Sequence, residues 1–149
     1  RQVIWNLRST STGPRSLSSL LEDMVATVAI VGQAQIEVHV EGDEPELEPR
    51  IQQELLRIAQ EATTNALAHA EARHVEIRIT GRSRSLSLII IDDGRGFEPR
   101  RANEEKPLHF GLRGMQERAE RIKAQFSVDS EPGKGTVVKV DLPDRMEEP

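Results

Sequence analysis

Cysteine is absent from the 149 residues, which removes disulfides, thiolate nucleophiles and thiolate metal sites and is compatible with a reducing compartment. No apolar run approaches the ~20 residues of a membrane-spanning helix, and no basic-then-apolar stretch opens the chain as a secretion signal would. A basic footprint is missing too. The formal net charge is -5 and the 20 Lys and Arg residues are dispersed, so neither nucleic acid nor a membrane surface is an expected partner. There is no internal repeat, and no GxxxxGK[ST] phosphate loop. What is present, 36% hydrophobic and 30% charged residues, is the composition of one soluble domain able to bury a core without staples, expected in the cytoplasm. The sequence begins at Arg1 without a methionine, in what reads as the middle of a helix, and is expected to be a piece of a longer protein.

Periodicity supplies the elements. Val3, Ile4 and Leu7 suggest the end of a helix over Arg1–Arg8, followed by a Ser/Thr/Gly/Pro linker over Ser9–Pro14. Leu17, Leu20, Leu21, Met24, Val25 and Val28 mark an amphipathic helix stopping near Gly32. Ile36, Val38 and Val40 alternate as a half-buried strand, and an acidic loop runs from Gly42 to Pro49. The stripe Ile51, Leu55, Ile58, Ala59, Ala62 and Ala66 gives the longest helix, Glu48 to about Ala70, with Pro49 in its first turn. Strands follow at Val75–Thr80 and Leu86–Ile91, the second apolar enough to lie centrally. A polar loop is expected through Phe110, then a helix from about Leu112 to Lys123, strands at Phe126–Ser130 and Thr136–Leu142, and a fraying tail over Pro143–Pro149. This order predicts an α+β sandwich, with a layer of helices on one face of a mixed sheet.

Four constellations bear on chemistry. Glu61, Asn65 and His69 lie four apart, so each drifts only ~40° around the helix axis and together they form one polar stripe. Spacing alone also fits a solvated face. The functional reading has the Asn65 carbonyl oxygen coordinating Mg²⁺ while a carboxylate one turn earlier orients water or takes a proton. In IIIDDGRGF, Ile89 to Phe97, an apolar strand ends in two acids and a Gly-x-Gly. An acid there can accept a hydrogen bond from the exocyclic amine of adenine, although Asp and Gly also suit a plain turn. His109 to Ile122 places Gly111 and Gly114 at the expected opening of a helix, where free N–H groups attract anions and Arg113 is a possible charge partner. The alternative is a glycine-punctuated loop into a surface helix. Glu131 to Pro143 reads as a hairpin turn into a strand, with Thr136 able to hydrogen-bond toward a nucleotide.

Taken in order, IAQEATTNALAHA, IDDGRGF, FGLRGMQERAERI and PGKGTVVKVDLP resemble the asparagine box and glycine boxes of the GHKL ATPases, the superfamily of gyrase, a heat-shock chaperone, mismatch-repair ATPases and histidine kinases. The third box is similar to that of the histidine kinase branch typified by nitrate and lipid-fluidity sensors, and VIWNLRS is similar to the closing stretch of that branch's dimerisation helix. The resemblance implies a Bergerat fold. It divides the chain into the end of a dimerisation helix and a linker over 1–12, an ATP-binding catalytic domain over 13–143 and a tail over 144–149. It also implies ATP and Mg²⁺ as cofactors, with a glycine segment as a lid. Residue by residue, Asn65 matches the Mg²⁺ ligand, Glu61 the helix carboxylate and Asp92 the adenine-reading acid. Gly94 and Gly96 match the first glycine box, Gly111 and Gly114 the second with Leu112, Arg113 and Met115 around them, and Thr136 the threonine after the last glycine pair. His69 matches a position near the phosphates. Ala68 departs from the pattern, since a basic residue is common there.

The implied function is that of a histidine kinase catalytic domain, which presents the γ-phosphate in line to an imidazole on its own dimerisation and phosphoacceptor domain, with a response regulator downstream and a homodimeric, membrane-anchored or soluble parent. The family's acceptor histidine is usually followed by an acid, whereas His39, His69, His74 and His109 are followed by Val40, Ala70, Val75 and Phe110. Autophosphorylation within these residues is therefore not expected. An anti-sigma-factor-type serine kinase and a non-catalytic nucleotide-sensing module of the same fold are the alternatives.

Overall fold

The computed structural model describes residues 15–29, 34–99 and 106–144. The helix expected over 1–8, the linker over 9–14 and the end of the tail from 145 lie outside them. Helix α1, Leu17–Ala29, begins where the Ser16 hydroxyl accepts a hydrogen bond from the Ser19 backbone N–H at 3.2 Å, satisfying an N–H that has no partner within the helix. It buries Leu17, Leu21 and Met24, three positions of its predicted stripe. The expected stop near Gly32 falls on residues 30–33, outside those described. Strand β1 is Gln35–Glu41. Ile36 and Val38 pack against the core, but Val40 stays 44% exposed, because β1 is an edge strand with a neighbour on one side only.

Helix α2, Pro49–Thr64, starts on Pro49, whose missing N–H costs nothing at that position. It buries Ile51, Leu55, Ile58, Ala59 and Ala62. A wider π-helical turn, Asn65–His69, continues it, closed by the Ala70 N–H on the Asn65 carbonyl at 3.0 Å. Then come β2, His74–Arg82, and β3, Ser85–Asp92; helix α3, Lys106–Arg121; and β4, Gln125–Ser130, and β5, Thr136–Leu142. The sheet order is β1-β2-β3-β5-β4, with β1 and β2 parallel and the other pairs antiparallel. This is the expected mixed sheet, with β3 at its centre.

Alternation puts Val75, Ile77 and Ile79 of β2, Leu86, Leu88 and Ile90 of β3, and Val138, Val140 and Leu142 of β5 on the face the helices cover. Each such side chain contributes about 1.5–3 kcal/mol by leaving water, so a one-residue slip of register would forfeit most of the core. Helix α3 adds Met115 and Ala119 to the same core, and Ile122, in the turn just past its end, joins them. The helix is also tied to α2 by Arg118 and Arg121, which reach the Glu54 carboxylate at 2.8 and 3.3 Å. Among the described residues no helix is long and apolar enough to cross a membrane.

One element differs from its sequence reading. Helix α3 begins at Lys106 and not near Leu112, so Gly111 and Gly114 lie inside it and do not open it. The anion-attracting helix start expected at those glycines is therefore not where they are. Pro107, in the first turn, is the sequence signal for the earlier start. The two glycines hid it, since each is poor in a helix interior by roughly 1 kcal/mol relative to Ala.

Candidate functional site

Chain order separates the polar residues of α2 from the acid at the end of β3, and sheet register reunites them. Strand β2 leaves the end of α2 and pairs with β3 so that Val75 stands opposite Asp92. On its other side Asp92 stands opposite Thr136, and Ile90 opposite Val138. Directly opposed residues share a face of the sheet, so Asp92, Thr136, Ile90 and Val138 form one wall beneath the C-terminal part of α2. Ala62, Ala66 and Ala70, spaced four apart along the helix and its π turn, are too small to fill the gap above that wall. The gap is a cavity of about 410 Å³, which they line together with Asn65, His69, Asp92, Ile90, Thr136 and Val138.

Of the sequence-predicted residues, Asn65, His69, Asp92, Gly96, Leu112, Met115 and Thr136 line this one cavity. Glu61 lies beside it. A methyl added at Gly111 would sit 3.3 Å from both Glu61 Oε2 and Asn65 Nδ2, so the absence of a side chain there lets α3 close onto the polar stripe of α2. Gly94 is not a lining residue. Its lack of a Cβ serves a close approach to Ala70, whose Cβ and carbonyl oxygen would be 2.6 and 2.7 Å away. Arg113 is exposed and pairs with Glu117 at 3.2 Å along its own helix, and Gly114 has nothing within 4 Å of where a Cβ would stand. Arg95, Phe97, Glu98 and Pro132 also line the cavity, unforeseen as site residues. Arg95 and Phe97 stand within IDDGRGF and Pro132 within PGKGTVVKVDLP, whereas Glu98 belongs to none of the motifs.

The turn between β4 and β5 is stitched to the loop after β3. Gly96 (φ +64) would drive a Cβ to 2.1 Å from the Glu131 carbonyl oxygen, and Gly135 (φ +76) to 2.1 Å from that of Asp92, so both positions demand glycine for conformation and for space. Buried Ser130 closes the knot. Its Oγ accepts from the Phe97 N–H at 2.9 Å, donates to the Gly135 carbonyl at 3.0 Å and lies 2.8 Å from Thr136 Oγ1.

The two adjacent acids differ in charge behaviour. Burial pushes the Asp92 carboxyl above its ordinary range, partly opposed by hydrogen bonds from the backbone N–H groups of Gly94, at 2.8 Å, and Thr136, while the Asp93 charge adds to the rise. Asp93 is held down to about 2 by the His74 backbone N–H and ring, each at 2.9 Å, and by the Arg73 N–H at 2.8 Å. Only Asp92 faces the cavity.

Chemically, Ile90 and Val138 on the wall and Leu112 and Met115 from α3 suit a flat apolar ring, and Asp92 at one end accepts hydrogen bonds from a donor edge. Asn65 and His69 give another part of the lining polar character. Among the described residues no three His, Cys, Asp or Glu side chains converge as a metal cage. The Asn65 amide oxygen, a hard and uncharged donor beside the Glu61 carboxylate, nevertheless fits Mg²⁺, which takes one or two protein oxygens and keeps water and phosphate oxygens for the rest.

A family model described as histidine kinase-, DNA gyrase B- and HSP90-like ATPase matches residues 50–146. The chain is 35% identical over 103 residues to the signal transduction histidine-protein kinase/phosphatase DegS of Bacillus subtilis, covering 69% of this chain and 27% of that protein. It is 32% identical over 143 residues to the sensor protein VraS of Staphylococcus saprophyticus, covering 96% of this chain and 40% of that one. The chain thus spans well under half the length of these curated relatives. Among solved structures, the histidine kinase domain of the Erythrobacter litoralis EL346 blue-light activated histidine kinase superposes with a TM-score of 0.70 at 25% identity, over 93% of this chain and 73% of that one. The ATP binding domain of PrrB from Mycobacterium tuberculosis shares the fold with a TM-score of 0.66 at 20% identity, over 89% and 96% of the two chains.

Proposed function

This chain belongs to the family of histidine kinase-, DNA gyrase B- and HSP90-like ATPases, and on that premise we propose that it is the ATP-binding catalytic domain of a sensor histidine kinase. It holds Mg·ATP between α2 and α3 and presents the γ-phosphate to an imidazole outside residues 1–149. The observation that carries the reading is that Asn65 and Asp92, on different elements, line one cavity with an apolar wall between sheet and helices. Asp92 accepts from the adenine amine, and Ile90, Val138, Leu112 and Met115 enclose the ring. Asn65 would hold Mg²⁺, which supplies charge neutralisation at the phosphates. His69 and Gly111, at the closure of α3 onto α2, border the phosphate end.

Phosphoryl transfer asks little covalent chemistry of a protein and much positioning. A histidine ring nitrogen forms the new bond to the γ-phosphorus as the bond to the β–γ bridging oxygen breaks, and ADP leaves. To Glu61, beside Asn65, we assign acceptance of the proton that the attacking imidazole sheds. A sensor kinase of this kind passes its phosphoryl group on to a response regulator, which is the downstream partner we assign to the whole protein.

The test is labelling from γ-labelled ATP. The chain alone is expected to give no acid-labile phosphohistidine, since none of its four histidines is followed by an acid. A longer form carrying the upstream helices is expected to label, and to lose the label with Asn65→Ala. Stable labelling of the 149 residues by themselves contradicts this assignment of roles.

A further inference from the structure

Counting hydrogens in the knot around Ser130 fixes how the cavity wall presents itself. A serine hydroxyl has one hydrogen to give and two lone pairs to receive. The Gly135 carbonyl, 3.0 Å away, can only accept, so it takes the Ser130 hydrogen. The Phe97 N–H can only donate, and occupies one lone pair at 2.9 Å. The contact that is left, 2.8 Å to Thr136 Oγ1, is satisfied only if Thr136 donates to Ser130. The Thr136 hydroxyl hydrogen is thereby spent on a buried neighbour that is not part of the cavity lining. What Thr136 offers the cavity is lone pairs.

Asp92 stands directly opposite Thr136 in the sheet and lines the same cavity, and an ionised carboxylate is also acceptor-only. Two acceptors side by side suit a ligand edge rich in donors, such as the 6-amino group of adenine with its two hydrogens. A 6-oxo purine would present its carbonyl oxygen to both and leave buried lone pairs opposed.

We propose that Ser130 is a positioning residue that sets purine specificity, by locking the Thr136 hydroxyl as an acceptor so that the wall selects a 6-amino over a 6-oxo ring. This rests on the ATP-binding reading above and deepens it. Without the Ser130 hydroxyl, Thr136 is free to rotate and donate, and a 6-oxo purine becomes tolerable.

The probe pair is ATP and inosine triphosphate, which share ribose and phosphates and differ on one ring edge, a 6-amino group beside an N1 acceptor in the first and a 6-oxo group beside an N1–H in the second. Dissociation constants for both, with Mg²⁺, are measured on the chain and its variants, and the ratio is the readout, because a loss of stability alone does not move it. The wild type is expected to favour ATP. Ser130→Ala should narrow the preference by roughly five- to ten-fold, the size of one net hydrogen bond, and Ser130→Thr, which keeps a hydroxyl, should restore it. Thr136→Val should narrow the ratio to a similar degree, and Ser130→Ala added to it should change nothing more. Thr136→Val also serves if Ser130→Ala does not fold. An unchanged ratio in folded Ser130→Ala, or in Thr136→Val, overturns the proposal, as does an equal effect of Ser130→Ala in the Thr136→Val background. A wild type that binds both nucleotides equally overturns it while leaving the ATP reading intact. One that binds neither overturns both.

Discussion

At the scale of residues, side chains next to each other at a strand end face different surroundings, which is why the two acids of IDDGRGF behave so differently. Asp92 is buried on the cavity wall, where losing water raises its pKa. Asp93 is exposed and receives three hydrogen bonds from Arg73 and His74, which lower its pKa to about 2. The consequences for stability run in opposite directions. Because the folded pKa of Asp93 lies below the ordinary value of 3.8, its stabilising contribution is present above 3.8 and is lost as pH falls from there through about 2. For Asp92, whose folded pKa is raised, the burial of charge opposes folding at higher pH and is relieved as the carboxyl protonates. Exposure of Asp93 to solvent screens its pairing, so its share is on the order of 1 kcal/mol or less. Thermal melts of wild type and Asp93→Asn should differ near neutral pH and converge in acid. Curves that stay parallel down to the lowest pH would show that the His74 pairing does not stabilise the fold. Whether an acid in DDG is buried or exposed was not legible in the motif; the register with Val75 and Thr136 decides it.

The elements were legible wherever one periodicity dominated. The stripe of α2, the alternation of β2 and β3 and the Val-rich β5 all stand where their apolar spacing predicts, because burial of those positions and local propensity agree. Helix α3 is the exception, since Gly111 and Gly114 carry the local signal of a loop while Leu112, Met115, Ala119 and Ile122 carry that of a packed helix. Packing prevails, reinforced by the ion pairs of Arg118 and Arg121 with Glu54. The π turn at Asn65–His69 had no local signal at all. The glycine cost can be measured. With nothing within 4 Å of a Cβ at Gly114, Gly114→Ala gains helix propensity without a clash and should raise Tm by about 2–4 °C, as ~1 kcal/mol does in a chain of this size. A lowered Tm would mean that position 114 is not helical in solution. Gly111→Ala should not share the gain, since its methyl would crowd Asn65 and Glu61 at 3.3 Å.

For the whole molecule, the sequence pointed to part of the cavity lining, Asn65, His69, Asp92 and Thr136 among it, but not to Glu98 or to the arrangement, which the fold supplies. Asn65 and Asp92 meet because a helix end feeds directly into the strand that pairs with β3, and the room between them exists because Ala62, Ala66 and Ala70 are small. Ser130 escaped the sequence reading because its place in the knot depends on which groups it meets across β4 and β5. The central claim, one pocket shared by a purine-reading acid and a metal-holding amide, is tested most directly by calorimetric titration of Mg·ATP into wild type, Asp92→Asn and Asn65→Ala. Wild type should bind. Asp92→Asn should weaken affinity by about ten-fold or more, the loss of a charge-assisted hydrogen bond, and Asn65→Ala should remove the dependence of binding on Mg²⁺. Asp92→Asn binding as tightly as wild type would contradict the account.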